Sequence, residues 1–519
     1  MNYILRWLVA ACACVWTGQA TAAWHEARSK HFIIYSDDKP RSLQAFAEKL
    51  ERFDAAVRFL RKMEDPPLTD SGRVTIFLLP DDDALQQLAQ SRSVLGMYTT
   101  RASGSYAFVP RNSGRGLSFE SSANRGPQKS SLDTEAIFFH EYAHHLQLQD
   151  WPGVMPPWVR EGFAEFFASA DIDERGNVTI GKFPSWRSQE VYFGGGLSAE
   201  EMVAADLRKL NWYEVSDLYG RSWLLTHYLS VSGERPGQLN RYLDGIEGGA
   251  RLEDAATAAF GDLKTLSRDL NDYLKPRSFL AYTVDAAAIP IGTVKTAALS
   301  AGASAMMNVV MRSKLKAYNL AGIAGDARRI ATAFPNDAFV QGALAEAEYD
   351  ADNFSAAAAA ADRVLAVDPN NVQGLIYKGR AQMKLAVAQG GSADWTKIRS
   401  WFTKANKLDT ENSEALMLFY DSYIESNQQG LTSNAVDALL YAADLAPRDR
   451  ALRLKAVRQL LAGNRLKEAR ERFAPAAFET HAEAKWRTAA QTVVDAMDAG
   501  NGPRAEELLD QALKAEQEK

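Results

Sequence analysis

Three of the seven histidines in this 519-residue chain fall in one short run, Phe139-His140-Glu141-Tyr142-Ala143-His144-His145-Leu146. On a helix, positions i and i+4 share a face, so His140 and His144 can turn their Nε2 atoms toward one metal ion. Glu141, one residue on, is placed to act as general base toward an attacking water. Phe139, Tyr142 and Ala143 keep the surroundings apolar, as a dry site requires. The bland alternative is a satisfied pair of helix histidines beside a surface glutamate. A catalytic zinc needs a third protein ligand and an open position. Downstream runs Pro157-Trp158-Val159-Arg160-Glu161-Gly162-Phe163-Ala164-Glu165-Phe166-Phe167, with Glu161 17 residues beyond His144. That distance leaves room for a turn and the start of an antiparallel helix. Glu161 and Glu165 are again i and i+4, in a stretch otherwise apolar from Phe163 to Ala168. Buried carboxylates need partners, and a metal and a ligand histidine are suitable ones. Glu161 is therefore assigned as third ligand. Glu165 is assigned as acceptor for a ligand histidine, fixing its ring; otherwise it is a solvent-facing charge.

Positioning such a site takes strands and helices, and the first half of the chain carries signals for both. His31 to Tyr35, Val74 to Leu79 and Gly104 to Val109 are short apolar runs that read as strands. Leu43 to Leu60 has helical spacing, and Thr134 to Gln149 reads as the helix that carries the histidines. Asn112 to Ser131 is rich in Gly, Ser, Asn and Arg and reads as a loop. Helical segments dominate to Tyr273, and Phe279 to about Val294, with Pro290 and Gly292, reads as a connector. From about Ser304 the chain is Ala-rich and helical. Pro335 and Pro369 stand 34 residues apart, each after a helix and before Asn. Similar turns recur at Asp409-Thr410 and Ala446-Pro447. Ala435, Leu439 and Ala442 share their spacing with Ala469, Phe473 and Ala476, and Gly379 sits where a first helix needs a small residue. This pattern resembles tetratricopeptide repeats, though no unit has the full consensus. The resemblance implies a curved solenoid with a concave surface that holds a partner or a substrate segment. The alternative is an irregular helical domain.

His140-Glu141-x-x-His144 followed by Arg160-Glu161-Gly162-Phe163-Ala164 resembles the gluzincin metallopeptidases. In those enzymes HExxH and a Glu on a second helix bind zinc, and aminopeptidases of the clan carry Asn-Glu-Gly-Phe-Ala at this place. The order also resembles bacterial peptidase-MA-like domains, with their aromatic, strand-forming N-terminus like Trp24-His25-Glu26-Ala27 and Phe32-Ile33-Ile34-Tyr35. The likeness covers about 24–275 and implies an α+β zincin-like catalytic domain with Zn²⁺ on His140, His144 and Glu161. It further implies an oxyanion donor. The aminopeptidases place a Tyr in a Tyr-x-Lys-Gly context beyond the Glu ligand, and here Tyr219-Gly220-Arg221-Ser222 follows Glu161 by 58 residues and is expected to open a helix. A phenol aimed at developing negative charge suits that step. Arg and Ser replace the family's Lys and Gly. His227 is the alternative donor, or else a packed helix residue. The amine-anchoring Gly-x-Met-Glu-Asn motif is absent, since Gly96-Met97 is not followed by the acid, so exopeptidase specificity is not implied. Gly104 to Val109 is expected as the edge strand that pairs with an extended substrate. His145 points away from the ligand face and reads as structural; His25, His31 and His481 show no partners in sequence.

Composition narrows the classes. With 59 Lys+Arg against 65 Asp+Glu the formal charge is −6, which argues against a nucleic-acid partner. Hydrophobic content of 46% with 24% charged residues is globular. The two cysteines, Cys12 and Cys14, cannot form a disulfide framework or a zinc finger. Both lie in residues 1–23, where Arg6, an apolar run from Trp7 to Trp16 and the small residues Ala20-Thr21-Ala22-Ala23 read as a secretory signal peptide. The alternative there is lipid anchoring at Cys12, after the lipobox-like Val9-Ala10-Ala11. No later stretch is apolar enough for a transmembrane helix. The expected organisation is thus a signal at 1–23, a gluzincin-like domain at 24–276, a connector at 277–300 and tetratricopeptide-like repeats at 301–519. The expected function is an exported, periplasmic or secreted zinc peptidase acting on a peptide or protein. The competing expectation is a non-catalytic envelope scaffold with a structural zinc; a third is hydrolysis of a non-peptide amide.

Overall fold

The structure is a computed structural model that describes residues 23–91, 96–112, 134–151, 155–193, 196–205, 209–248, 250–275, 278–316, 318–390, 392–426, 430–477 and 484–517. The expected signal peptide with Cys12 and Cys14, the expected loop beyond Asn112 and His481 lie outside the described residues.

An α/β region comes first. Its elements are β1 (His25–Arg28), β2 (Phe32–Ser36), α1 (Pro40–Arg61), β3 (Val74–Asp81), α2 (Asp82–Ala89), β4 (Met97–Arg101), β5 (Gly104–Asn112), α3 (Thr134–Asp150) and α4 (Pro157–Ala168). There follow β6 (Asp171–Ile172), β7 (Val178–Ile180), α5 (Ser188–Phe193), α6 (Ala199–Val203), α7 (Trp212–Val231), α8 (Gln238–Glu247), α9 (Leu252–Phe260), α10 (Leu263–Tyr273), β8 (Tyr282–Val284) and β9 (Lys295–Ala298). The main sheet has the order β4-β5-β3-β2-β1-β9, with β2, β3 and β5 parallel and the other pairings antiparallel. Its central strands are near-continuous apolar runs because both faces are covered. Phe32, Ile34, Val74 and Ile76 pack in one core with Leu50 and Phe53 of α1 and Phe138, Phe139 and Tyr142 of α3. Phe77 and Phe108 pack on the other side with Leu85 of α2.

The expected edge strand, Gly104 to Val109, is interior: β5 pairs with β3 on one side and β4 on the other. The edge is β4, which turns back through Ala102-Ser103 to Gly104, whose φ of +127° suits only glycine there. The five residues of β4 are all half-buried and show no alternation, so their pattern gave no strand signal. The connector is likewise built into the sheets. β8 pairs with β7, and β9 pairs with β1.

A long all-helical stretch follows: α11 (Ala301–Lys314), α12 (Leu320–Ala333), α13 (Ala338–Asp350), α14 (Phe354–Val367), α15 (Val372–Ala388), α16 (Trp395–Leu408), α17 (Ser413–Ser426), α18 (Ser433–Leu445), α19 (Arg450–Ala462), α20 (Leu466–Ala477), α21 (Ala484–Asp498) and α22 (Gly502–Gln517). Each packs on its sequence neighbours, as in a solenoid. Side-chain caps start many of them, including Asp337, Asn371, Asp394 and Asp449. Gly379 of α15 has no room for a side chain, since a Cβ there would lie 2.5 Å from the Phe402 ring of α16.

The two regions are joined through the β4–β5 hairpin. Met307 and Met311 of α11 complete the core around Phe77 and Phe108. The Ala102 N–H donates to Asp449 (2.8 Å), and Arg101 donates to the Lys314 carbonyl (3.0 Å).

Candidate metal centre

Helix α3 packs an apolar face against the sheet and α1 and lies against α4 on another side. Phe139 stacks on Phe53 with ring centroids 4.1 Å apart, and Phe138 stacks on Tyr142. His140 and His144 occupy the remaining face, toward α4. That helix starts with Pro157, which needs no N–H partner in the first turn. It is buried along most of its length, including both carboxylates. Gly162 lets it approach α7: a Cβ there would sit 2.6 Å from the Ser222 carbonyl and would collide with Thr226 Oγ1.

This packing brings His140, His144 and Glu161 together. Glu161 Oε2 lies 3.5 Å from His140 Nε2 and 3.4 Å from His144 Nε2. The three ligand atoms lie within 4.8 Å of one another. Glu161 is 1% exposed, and its Oε2 has no hydrogen-bond partner among the described residues. The other oxygen, Oε1, accepts from Arg160 Nε and Nη2 at 2.9 and 2.7 Å. A buried carboxylate oxygen flanked by two imidazole nitrogens and lacking a donor fits a cation between them. Two imidazoles and one carboxylate are also a donor set suited to zinc.

Glu165, one turn on, has Oε1 3.4 Å from His140 Nδ1. It also accepts from Arg187 (2.6 Å) and from the indole of Trp186 (3.2 Å). The second histidine has no such support, because His144 Nδ1 is buried without a partner among the described residues. Tyr219 lies in the interior of α7, which begins at Trp212 under an Asn211–Glu214 capping box, so it does not open a helix as expected. Its ring lies nearly parallel to His140, with centroids 6.1 Å apart, and Arg187 sits 5.0 Å over it. Glu141 is half-buried, and its charge reaches His144.

The electrostatics follow from the packing. Burial opposes a charge on His140, but the adjacent Glu161 and Glu165 carboxylates outweigh it and carry its pKa up to about 10. Burial pushes His144 down. Burial opposes ionisation of Glu165, yet Arg187 and His140 hold it down at about 2. Glu161 is held well below the carboxylate range, with His144, His140 and Arg160 overcoming its burial. Tyr219 is pushed upward by burial and by the Glu161 charge, so its phenol keeps its proton.

The other histidines are elsewhere. His227 donates from Nε2 to the Leu280 carbonyl (2.9 Å) and meets Tyr273 at Nδ1 (2.9 Å), fully buried, so it is a packed helix residue. His145 turns away, to Tyr98 and Gln149. His31 does have partners: Nδ1 lies 2.8 Å from Glu51 and Nε2 2.9 Å from Asp65, beside Asp54 and Arg58. Arg160, Trp186 and Arg187 were not singled out from sequence. The available signal was physical: two buried carboxylates require cationic or N–H partners.

Residues 130–244 match a family model described as "Protein of unknown function (DUF1570)". That span holds all the residues of the candidate centre. No curated protein matches the chain.

Proposed function

We propose that the chain is an exported zinc-dependent peptidase of gluzincin type, with a zincin-like α/β region and tetratricopeptide-like helical repeats. The observation that carries this reading is the convergence of His140 Nε2, His144 Nε2 and the donor-less Glu161 Oε2 in a buried site. These three residues would hold Zn²⁺. Zinc in that position supplies Lewis-acid polarisation of a carbonyl and acidification of a water. Glu141 takes the proton of the attacking water on its carboxylate and returns it to the leaving amine. Tyr219, protonated at working pH, donates to the developing oxyanion. Glu165 orients the His140 ring, and Arg187 holds Glu165 against it. Arg160 fixes Glu161 through its second oxygen. Among the described residues β4 is the outermost strand of the main sheet, the place where an extended substrate adds, and the helical repeats hold the hairpin that carries it.

The test compares the wild type with Glu141→Ala on quenched casein, with zinc content measured on both. The reading expects equal zinc and turnover only in the wild type. Equal zinc with no cleavage by either form would replace it with the scaffold reading.

A further inference from the structure

Arg187 closes the 3₁₀ turn Ser185–Arg187 and is largely covered; Glu190, on α5, is buried. Both reach α7 around Tyr219. Glu190 Oε1 accepts from the Ser216 hydroxyl (2.7 Å), one turn before Tyr219. Gly220, the residue after Tyr219, has no room for a side chain, because a Cβ there would sit 2.7 Å from Glu190 Cβ. Ser216 and Gly220 are i and i+4, so they share one face of α7, and Glu190 lies against it. The Tyr219 ring meets Arg187, whose guanidinium carbon stands 5.0 Å over it. One short segment therefore holds α7 at Ser216, Tyr219 and Gly220.

Arg187 is also shared. Its Nη2 donates to Glu165 Oε1 (2.6 Å), and its Nη1 lies 3.7 Å from Glu190 Oε1. Glu165 in turn lies 3.4 Å from His140 Nδ1, and the His140 ring is nearly parallel to that of Tyr219. One guanidinium thus touches both the carboxylate beside a metal-site histidine and the phenol ring next to that histidine. A cation over an aromatic face attracts it and limits its tilt. Packing α5 on α7 requires only the Glu190 Cβ. A buried carboxylate is a costly way to fill that space, and Glu190 Oε2 has no hydrogen-bond partner among the described residues. What its charge and its hydrogen bond accomplish is to hold Arg187 on one element and Ser216 on the other.

We propose that Arg187 and Glu190 are positioning residues for Tyr219, and that Arg187 ties the phenol to the His140–Glu165 pair so that the two are set together. That the phenol serves an oxyanion rests on the peptidase reading; its positioning does not.

The test compares the wild type with Tyr219→Phe, Glu190→Gln, Arg187→Met and the combination of Glu190→Gln with Tyr219→Phe, each with its urea unfolding midpoint. Three quantities are read: zinc affinity by competition with a chromophoric chelator, calorimetric affinity of the zinc-loaded chain for acetohydroxamate, and kcat and KM on quenched casein. Glu190→Gln should keep its zinc affinity and lose about tenfold or more in kcat with KM little changed. Its acetohydroxamate affinity should fall in step with that of Tyr219→Phe, and the combined variant should behave like Tyr219→Phe alone. Arg187→Met should show the same losses and also weaken zinc binding by about 10–100-fold. Ser216→Ala, which releases Glu190 on the α7 side, should give the Glu190→Gln pattern to a smaller extent and serves where another variant does not fold. The proposal is overturned if Glu190→Gln, with an unchanged midpoint, keeps the wild-type kcat and acetohydroxamate affinity. It is equally overturned if the losses of Glu190→Gln and Tyr219→Phe add in full, or if Arg187→Met holds zinc as tightly as the wild type. If the wild type cleaves nothing, the two binding readouts decide: the expected pattern in them upholds the positioning and removes the peptidase reading. Its absence, or a chain that takes up no zinc, overturns both.

Discussion

Glu161 is the residue on which the candidate centre turns. Its Oε1 is satisfied by Arg160 while its Oε2 faces two imidazoles and no donor. The neighbouring carboxylates therefore have separate roles. Glu141→Gln should leave zinc content unchanged and lower kcat on quenched casein by about 10²–10⁴-fold. Glu165→Gln should weaken zinc affinity by about 10–100-fold, read by competition with a chromophoric chelator, because it loosens the ring of His140. Tyr219→Phe should lower kcat by about 10²–10³-fold with KM little changed, since the phenol acts on charge that develops after binding. A KM effect of the same size would make Tyr219 a wall of the site instead. The pairs His140 with His144 and Glu161 with Glu165 were legible in the sequence because helical periodicity puts each pair on one face, whereas Tyr219 came only from the family resemblance. Arg187 was not, because it reaches Glu165 from a separate 3₁₀ turn, Ser185–Arg187, and no spacing rule links the two across 22 positions.

At the scale of elements, the site depends on how closely α4 approaches α7 and on how α3 is held from behind. Gly162→Ala pushes a methyl against the Ser222 carbonyl, which is backbone and cannot swing away. It should cost about 1–3 kcal/mol of stability in urea unfolding. Behind α3, Tyr142 donates to Asp54 (2.8 Å), which Arg58 also grips, and His31 bridges Glu51 and Asp65. Lys30 faces the same cluster through Asp65. Burial disfavours the His31 charge, but Glu51, Asp54 and Asp65 raise its pKa above 6.5. Its contribution to stability is thus fully present below pH 6.5 and lost as pH rises through the folded value. Glu51 and Asp65 are shifted down from 4.5 and 3.8 despite burial, so their contribution is lost as pH falls below those values. Asp54 is pushed up by burial and opposes them above pH 3.8. His31→Gln should therefore destabilise most near pH 5.5, by about 3 kcal/mol, and clearly less near pH 9. An equal loss at both pH values would show that His31 is held neutral. This cluster could not be read from sequence, because its members come from a strand start, a helix and a loop. The helices α1 and α3 and the strands β2, β3 and β5 were readable, because apolar runs and 3.6-residue spacing are local. The strand β4 was not, because its pairing with β5 rather than its composition defines it.

At the scale of the molecule, the helical stretch is part of the structure that holds the sheet. Phe108 and Met307 are fully buried against each other's regions, and Ala102 lies in a core cluster with Leu416 and Leu452. A fragment ending at residue 300 should expose this face, unfold at a lower temperature than the full chain and aggregate on heating, as scanning calorimetry and light scattering would show. The division into a mixed first region and a helical second region was visible in the change to Ala-rich, Pro-punctuated sequence. Their junction was not, because contacts such as Ala102 with Asp449 join positions 347 apart. All of these roles depend on the metal. Zinc per chain, measured by mass spectrometry on the purified protein and on Glu161→Gln after equal exposure to zinc and desalting, tests it most directly. The account predicts one zinc in the wild type and close to none in Glu161→Gln. A wild type without zinc, or a variant that keeps it, would contradict the assignment of His140, His144 and Glu161 as its ligands.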